Sequence, residues 1–318
     1  MEWHERVGRR LRLRDLHILL AVIEAGTMVK AATRLGISQP AISKAIADME
    51  HAVGVPLLDR TRRGVEPTAH GHALAKRALA IFDEFRQAVQ EIEFLSDPTV
   101  GELNVGATES VAAGLLPAVI DRLSRQYPGL VFRVVQIAAA PPDFRQLRER
   151  NVELVLGRIS NPLPEKDLAA ELLFHEPICV VAATHSGWAR RRRIDLAELM
   201  AEPWVLPPPE SLPGQLVTDA FRARGLGMPR ATVHTASIHL LSNSLSMGRQ
   251  FLTVLPGSFL RFNGERLGLK ALPVVLPVEP GPVGIVRLKG RVLSPAAQLF
   301  IECAKEVARP ITERVNSG

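Results

Sequence analysis

The chain of 318 residues has little cysteine, few aromatic residues and no long apolar run. Its two cysteines, Cys179 and Cys303, are too few for a disulfide framework. No apolar stretch approaches the roughly 20 residues of a membrane-spanning helix, and the N-terminus lacks the apolar segment of a signal peptide. These absences predict a cytoplasmic protein, and the 47% hydrophobic content predicts a sizeable core.

The motifs of common enzyme classes are also missing. The chain has no Gly-x-Ser-x-Gly, no P-loop, no His-Glu-x-x-His and no dinucleotide-binding fingerprint. His70 and His72 have no third ligand in sight, so we predict no metal, no cofactor and no catalytic residue. The formal net charge of +6 suits nucleic acid only weakly, so any claim of DNA binding depends on the local pattern.

Residues 27–50 have the pattern of two short helices joined by a tight turn. Thr27 can cap the first helix, and Gly36 suits the position after its end, where φ is often positive. Ser38 can cap the second helix, and Pro40 falls in the first turn, where its missing N–H costs nothing. The pattern therefore predicts a helix-turn-helix.

The outward face of the second helix carries small and hydrogen-bonding side chains. Gln39 can pair with an adenine edge, Ser43 can donate or accept, and Lys44 can reach guanine or phosphate. Such a face suits the DNA major groove, and the alternative is an ordinary helical hairpin with a solvated polar face. The inward stripe, at spacings i, i+4 and i+7, consists of Ile42, Ile46 and Met49.

A basic turn follows the helices. Residues 55–68 contain two short extended pieces around an Arg-Arg-Gly turn, which is typical of a β-hairpin wing. Its arginines are placed for phosphates or the minor groove, although any one of them could belong to a solvated turn. Within a helix-turn-helix from Met28 to Ala47, followed by this wing, the predicted DNA-contacting residues are Ser38, Gln39, Pro40, Ser43, Lys44, Arg60, Arg62, Arg63 and Thr68.

Residues 68–95 contain no proline and predict one long helix of about 40 Å. Apolar residues alternate spacings of four and three along it, which is a heptad seam. The seam favours pairing with a second copy of the chain, and packing on its own domain is the alternative. Its members are Leu74, Ala78, Ile81, Phe85, Ala88, Ile92 and Leu95.

After Thr99 predicted strands alternate with helices, which indicates an α/β sheet. A second set of strands starts near residue 178, and the segments 282–287 and 294–308 return to the first set. Two lobes with a cleft between them follow, and ligands gather at the C-terminal ends of strands in such sheets. The candidate effector contacts at these positions are Thr108, Glu109, Ser110, Arg158, Pro208, Ser211 and Ser237.

The first 68 residues resemble the winged helix-turn-helix of LysR-type transcriptional regulators, and the match continues more loosely to about residue 300. The matching pieces are Ala31-Ala32 before Leu35, Ser-Gln-Pro-Ala-Ile-Ser at 38–43 and Gly-Val-Pro-Leu-Leu-Asp-Arg at 54–60. The family usually has phenylalanine where Leu58 stands. Asp-Met-Glu before His51 and the wing look closest to regulators of sugar-binding-protein and aromatic-acid genes.

The resemblance implies an α+β chain in three parts. These are a winged helix-turn-helix DNA-binding domain at 11–68, a linker and dimerisation helix at 69–97, and a two-lobed α/β effector domain at 101–308. The effector domain would resemble periplasmic binding proteins, with lobe I at about 101–176 and 278–308 and lobe II at about 177–277.

The resemblance also implies the function. The protein would be a sequence-specific transcriptional regulator of double-stranded DNA, binding an inverted-repeat operator under the control of a small-molecule effector in its cleft. The linker helix would form a homodimer, and the family usually forms a homotetramer. The alternative is a cytoplasmic small-molecule-binding protein or enzyme with a helical N-terminal appendage.

Two features leave alternatives open. Glu109 would repel a small anion unless Arg158 pairs with it, so we expect a neutral, hydroxyl-rich effector such as a sugar, or an aromatic acid held by Arg158 with Glu109 turned away. Alternatively, Glu109 caps the start of its own helix. The run of four arginines at 190–193 is typical of a solvated loop, with a basic patch as the alternative.

Overall fold

A computed structural model of the chain describes residues 11–62, 64–138, 144–159, 163, 165–246 and 250–315, with side chains to Ile311. The chain separates into two compact units, Met1–Val89 and Gln90–Gly318. Among the described residues, no helix is both long and apolar enough to cross a membrane.

The first unit is a small helical domain with a two-stranded hairpin. Three helices pack around a core that includes Leu19, Ile42 and Met49, and the hairpin adds Leu58 to it. Strand β1 pairs with β2 in antiparallel register from Leu58–Pro67 to Thr61–Gly64. The elements are α1 (Leu13–Ala25), α2 (Met28–Leu35), α3 (Gln39–Val53), β1 (Leu58–Thr61), β2 (Gly64–Pro67) and the start of α4 (Ala69–Ser96).

The start and stop signals of the helix-turn-helix act as predicted. The Thr27 hydroxyl accepts a hydrogen bond from the Lys30 amide at 3.2 Å, and the Ser38 hydroxyl accepts one from the Ala41 amide at 3.4 Å. Gly36 has a φ of 65°, which ends α2 in the left-handed conformation. The turn between the two helices is therefore encoded locally.

The hairpin is tied to the helices by polar contacts. The carboxylate of Glu50 accepts hydrogen bonds from the amides of Leu57 and Leu58 at 2.7 and 3.2 Å. The Val65 amide donates to the Gly26 carbonyl at 2.8 Å. Gly64 has a φ of 142°, and a Cβ there would lie 2.2 Å from the Gly26 oxygen, so no other residue fits this approach.

The second unit contains a five-stranded sheet in the order β4-β3-β5-β12-β6. Strand β3 runs parallel to β4 and β5, whereas β12 runs antiparallel to β5 and β6. Both faces of this sheet are buried under apolar clusters. Its elements are β3 (Val100–Ala107), α5 (Glu109–Ala113), α6 (Leu115–Gln126), β4 (Gly129–Gln136), α7 (Arg145–Arg148), β5 (Leu154–Arg158), β6 (Leu168–Glu176), β12 (Gly281–Leu288) and α11 (Pro295–Val315).

The chain between β6 and β12 forms the second lobe. Strands β10, β7 and β11 form an antiparallel sheet, and β8 pairs with β9 in parallel. Trp204 and Phe221 meet edge to face in its core, with ring centroids 5.7 Å apart. Its elements are β7 (Ile178–Ala183), β8 (Trp204–Leu206), α8 (Leu212–Ala223), β9 (Ala231–His234), α9 (Ile238–Ser244), β10 (Thr253–Pro256), α10 (Gly257–Asn263) and β11 (Leu269–Ala271).

Several elements differ from the sequence prediction. The helix expected at 111–126 is two helices, because the backbone breaks at Gly114, where a Cβ would lie 3.0 Å from the Ser110 oxygen. Strand β6 was not predicted, since its burial does not alternate and a bulge interrupts its pairing with β12. The short elements α10 and β11 also escaped prediction. The helix expected at 238–249 ends at Ser244, and residues 247–249 lie outside the described residues.

We predict that Glu50→Ala loosens the hairpin, because two amides lose a charged acceptor. Each hydrogen bond to a charged group contributes about 1.5–3 kcal/mol to the free energy of unfolding. Hydrogen exchange of the 55–68 peptide should accelerate in the full chain. Asp48→Ala is the control, because the exposed Asp48 side chain makes no hydrogen bond with the described residues, and it should leave exchange unchanged. Equal exchange in both variants would contradict the role of Glu50.

Candidate DNA-binding surface and effector cleft

Helix α3 presents a polar face to solvent. Its inward residues Ile42, Ile46 and Met49 are buried, so the opposite face is fixed outward by the core. On that face Gln39 and Lys44 are exposed, and Ser43 is half-buried. Ser38 and Pro40 at the helix start are exposed as well. The structure thus places these five predicted residues on or beside one accessible surface.

The wing supplies part of the predicted basic set. Arg60 and Arg62 are exposed at and just after β1, and Arg63 lies outside the described residues. Thr68 is different, because its hydroxyl donates to the Pro56 carbonyl at 2.8 Å and accepts from the Gly71 amide at 3.0 Å. Thr68 therefore caps α4, and its side chain is engaged within the fold.

The heptad seam of α4 divides into two parts. Leu74 packs on the core of the first unit and Ala78 is buried, which is what the alternative of packing on its own domain predicts. The later members are exposed on the same helix. Their exposed fractions are Ile81 43%, Phe85 62%, Ile92 63% and Leu95 76%, and Ala88 between them is exposed too. We call these five residues the apolar stripe.

Three candidate effector residues follow strand β3. The Thr108 amide donates to the Leu156 carbonyl at 3.0 Å, and its side chain lies against Gly157, where a Cβ would approach it to 2.6 Å. The hydroxyls of Thr108 and Ser110 are 3.4 Å apart. The ends of β3 and β5 therefore bring polar side chains to one edge of the sheet, as predicted for parallel neighbours.

Glu109 has a partner that the sequence did not suggest. Its carboxylate accepts a hydrogen bond of 2.7 Å from the Ile238 amide, at the start of α9 in the second lobe. Glu109 therefore caps a helix of the second lobe. It neither caps its own helix nor pairs with Arg158 among the described residues. Ser237 caps the same helix by accepting from the Leu240 amide at 3.3 Å. Glu109, Ser110 and Ser237 are consequently brought together.

Arg158 lies at the end of β5, over Gly281 at the start of β12. A Cβ on Gly281 would lie 1.6 Å from a guanidinium nitrogen, so the arginine side chain fills the space beside this glycine. Burial lowers the pKa of Arg158, and the Glu176 carboxylate opposes that change. No hydrogen bond joins its half-buried guanidinium to the described residues. The cleft side of this sheet thus holds a cation with unused donors.

Glu176, which the sequence analysis did not single out, is buried where the chain passes between lobes. It accepts hydrogen bonds from the Ser258 amide at 2.8 Å and from the Ser258 hydroxyl. Burial raises the pKa of Glu176, while the Ser258 bonds and Arg158 lower it. In the sequence, the signal that could have singled out Glu176 is a glutamate directly before a proline at the end of an apolar run. Burial also raises the pKa of the nearby Cys179 thiol to about 11, so this thiol stays protonated at neutral pH.

The remaining candidates lie before α8. The Ser211 hydroxyl donates to the Pro208 carbonyl at 2.6 Å and accepts from the Gly214 amide at 3.2 Å. Pro208 and Ser211 therefore bond each other, and no described hydrogen bond joins them to the Glu109 group. Within the part of the chain that the structure describes, no cluster of three His, Cys, Asp or Glu residues could hold a metal ion.

Two family models match this chain. Residues 96–309 match the LysR substrate binding domain, and residues 13–72 match the bacterial regulatory helix-turn-helix protein model of the lysR family. The chain belongs to the LysR family of transcriptional regulators. These matches confirm that the chain contains the two predicted kinds of domain, a helix-turn-helix and an effector domain.

Relatives that match this LysR regulator over most of their length are also named as transcriptional regulators. The uncharacterized HTH-type transcriptional regulator YdcI of Escherichia coli strain K12 is 27% identical over 306 residues, covering 96% of this chain and 99% of that protein. The HTH-type transcriptional regulator GbpR of Rhizobium radiobacter is 30% identical over 227 residues, covering 71% and 75%. The crystal structure of full-length CbnR with its target DNA has a TM-score of 0.59 at 21% identity, covers 93% of this chain and 100% of that one, and shows the shared fold.

This LysR regulator is therefore a DNA-binding transcriptional regulator whose C-terminal domain binds a small-molecule effector. Its relatives are regulators and not enzymes, so the alternative of an enzyme with a helical appendage is wrong. The residues that contact DNA and effector are the open question.

Proposed function

We propose that α3 reads the operator in the major groove. The observation that carries this proposal is that a core-facing stripe fixes α3 so that Gln39, Ser43 and Lys44 face outward. Gln39 would address adenine, Lys44 would address guanine or phosphate, and Ser43 would add a hydroxyl at close range. Ser38 and Pro40 would lie where the helix start approaches the backbone.

The wing would position this helix on the duplex. Arg60 and Arg62 are exposed and would contact phosphates or the minor groove, and Arg63 would join them. Thr68 would support the wing by capping α4. The domain boundaries at 11–68, 69–97 and 101–308, the lobe limits and the cytoplasmic location stay predictions.

The apolar stripe would join two copies of the chain. A stripe of large apolar side chains at heptad spacing is costly in water and pairs readily with a second copy of itself. A dimer would present two α3 helices to the half-sites of an inverted repeat, because a two-fold operator mirrors a two-fold protein. A tetramer would form from two such dimers.

The effector would bind beside Thr108, Ser110, Arg158 and Ser237. Glu109 is occupied by the Ile238 amide, whereas the Arg158 guanidinium has no hydrogen bond to the described residues. This arrangement supports an acid held by Arg158, with Glu109 turned to the other lobe, over a neutral sugar. Pro208 and Ser211 would line the second lobe through their exposed surfaces. The effector would act by binding one arrangement of the lobes better than another.

We predict that Ser43→Glu abolishes operator binding, because a carboxylate on the outward face of α3 repels the phosphates and bases it approaches. A gel-shift assay with the promoter DNA beside the protein's own gene measures the effect. Ser124→Glu, on an exposed turn of α6, is the matched control and should bind as wild type does. Retained binding by Ser43→Glu, with an intact circular dichroism spectrum in both variants, would refute the assignment of α3.

We predict that Phe85→Glu weakens self-association by on the order of tenfold or more, since burying one phenylalanine contributes about 1.5–3 kcal/mol. Sedimentation equilibrium gives the association constant. Ala73→Glu places the same charge on an exposed turn of α4 outside the apolar stripe and should leave association unchanged. Dimers of unaltered strength in Phe85→Glu would show that the stripe is not the interface.

We predict that calorimetric titration detects an aromatic acid and that Arg158→Gln weakens its binding by on the order of tenfold or more, because a charge-assisted bond contributes about 1.5–3 kcal/mol. Arg287→Gln alters another half-buried arginine of the same sheet and should bind normally. Heat from sugars alone, lost in Glu109→Gln, would contradict the acid and favour the sugar.

A further inference from the structure

The four arginines at 190–193 lie on a well-supported turn of the second lobe. The Ser186 hydroxyl accepts from the Trp188 amide at 3.3 Å, starting a short 3-10 helix at Gly187–Arg190. Lys270 donates to the Ala189 carbonyl at 2.7 Å, and Ala189 and Ile194 are buried on either side of the run. The turn is therefore fixed in place at both ends, unlike a solvated loop.

One of the four arginines serves this turn. The guanidinium of Arg191 bonds the Glu198 carboxylate at 2.6 Å and stacks on Trp188, 5.0 Å from the ring centroid. Glu198 also accepts from the Asp195 amide at 2.9 Å, while Asp195 accepts from the Ala197 amide at 2.9 Å. Both neighbouring carboxylates are thus engaged in holding the turn.

The other three, Arg190, Arg192 and Arg193, are exposed, and their side chains have no hydrogen bond or ion pair with the described residues. Elsewhere in the same unit, three exposed arginines on helices are matched by carboxylates one turn away. The pairs are Arg125 with Asp121 at 3.1 Å, Arg145 with Glu149 at 3.9 Å and Arg222 with Asp219 at 3.5 Å. The turn at 190–193 is therefore an uncompensated basic patch.

Along the chain, the described neighbours of this patch expose no large apolar side chain. Among the described residues, no exposed large hydrophobic side chain occurs between Leu172 and Met228 along the chain, and Trp188 is covered by Arg191. The core of a protein–protein interface is usually apolar or aromatic and depleted in charge. A polyanion recognised through charge alone fits the patch better than a folded protein partner.

We propose that Arg190, Arg192 and Arg193 bind the phosphate backbone of duplex DNA outside the segment that α3 reads. This proposal rests on the proposed function, because DNA held by α3 is present at high effective concentration for any second basic surface of the same assembly. Each guanidinium that meets a phosphate releases condensed counterions. The effector domain would thereby add sequence-independent affinity.

Fluorescence anisotropy of the full-length protein on two duplexes tests this contact. One duplex is a minimal site selected from a random pool by the full chain, and the other carries the same site with about 20 added base pairs on each side. We expect R190A/R192A/R193A to bind the minimal duplex normally. On the extended duplex its slope of log affinity against log salt should fall by up to about 2.7 for each subunit that contacts the flanking DNA, at about 0.9 per phosphate contact.

Two further variants separate charge from structure. R190K/R192K/R193K should keep the wild-type slope, because phosphate contact needs the positive charge and not the guanidinium geometry. R125A/R145A/R222A removes the same charge from arginines that are already paired, and it should leave both duplexes unaffected.

Wild-type slopes for the alanine triple variant on both duplexes would overturn the proposal. Equal loss on both duplexes would also overturn it, because flanking DNA would not be involved. If the alanine triple variant binds DNA normally but loses transcription in vitro, the proposal is also overturned, and the partner of the patch is an acidic protein. Failure of the wild type to select any duplex would refute the proposed operator reading itself, which is a separate result.

Discussion

Backbone amides at the starts of helices need acceptors, and in the effector-binding unit glutamates from distant parts of the chain supply them. Glu109 accepts from the first amide of α9, Glu176 from the start of α10, and Glu153 from the Ser294 amide just before α11 at 3.0 Å. An unpaired buried amide costs as much as a lost hydrogen bond, so each of these contacts fixes where a helix begins. Glu109 and Glu176 also link the two lobes.

This arrangement sets the electrostatics of the cleft. Glu109 carries its negative charge to the positive end of α9, so it is not available to pair with Arg158. Arg158 is held over Gly281 with its charge facing the buried Glu176 and with unused donors. A relative movement of the lobes must either keep or break the Glu109–Ile238 bond, which gives the effector two arrangements to distinguish.

The local parts of the molecule could be predicted because their signals are local. Thr27 and Ser38 start the two helices of the helix-turn-helix and Gly36 ends the first. Each of them acts within four residues of its position. Strand β6 and helix α10 escaped prediction because their stability comes from partners far away in the chain, β12 and Glu176. The heptad pattern of α4 predicted one continuous seam, yet Leu74 packs on the adjoining core and Ala78 is buried.

The sequence by itself determined the family, the helix-turn-helix with its outward face, and the kinds of residue at the strand ends, because these depend on periodicity and on residues close along the chain. Only the tertiary structure decided which groups meet. It paired Glu109 with the start of α9. Among the described residues, it left the Arg158 guanidinium without a hydrogen-bonding partner and three of four adjacent arginines uncompensated. The Glu109–Ile238 pairing joins residues 129 positions apart, and no local pattern records such a contact.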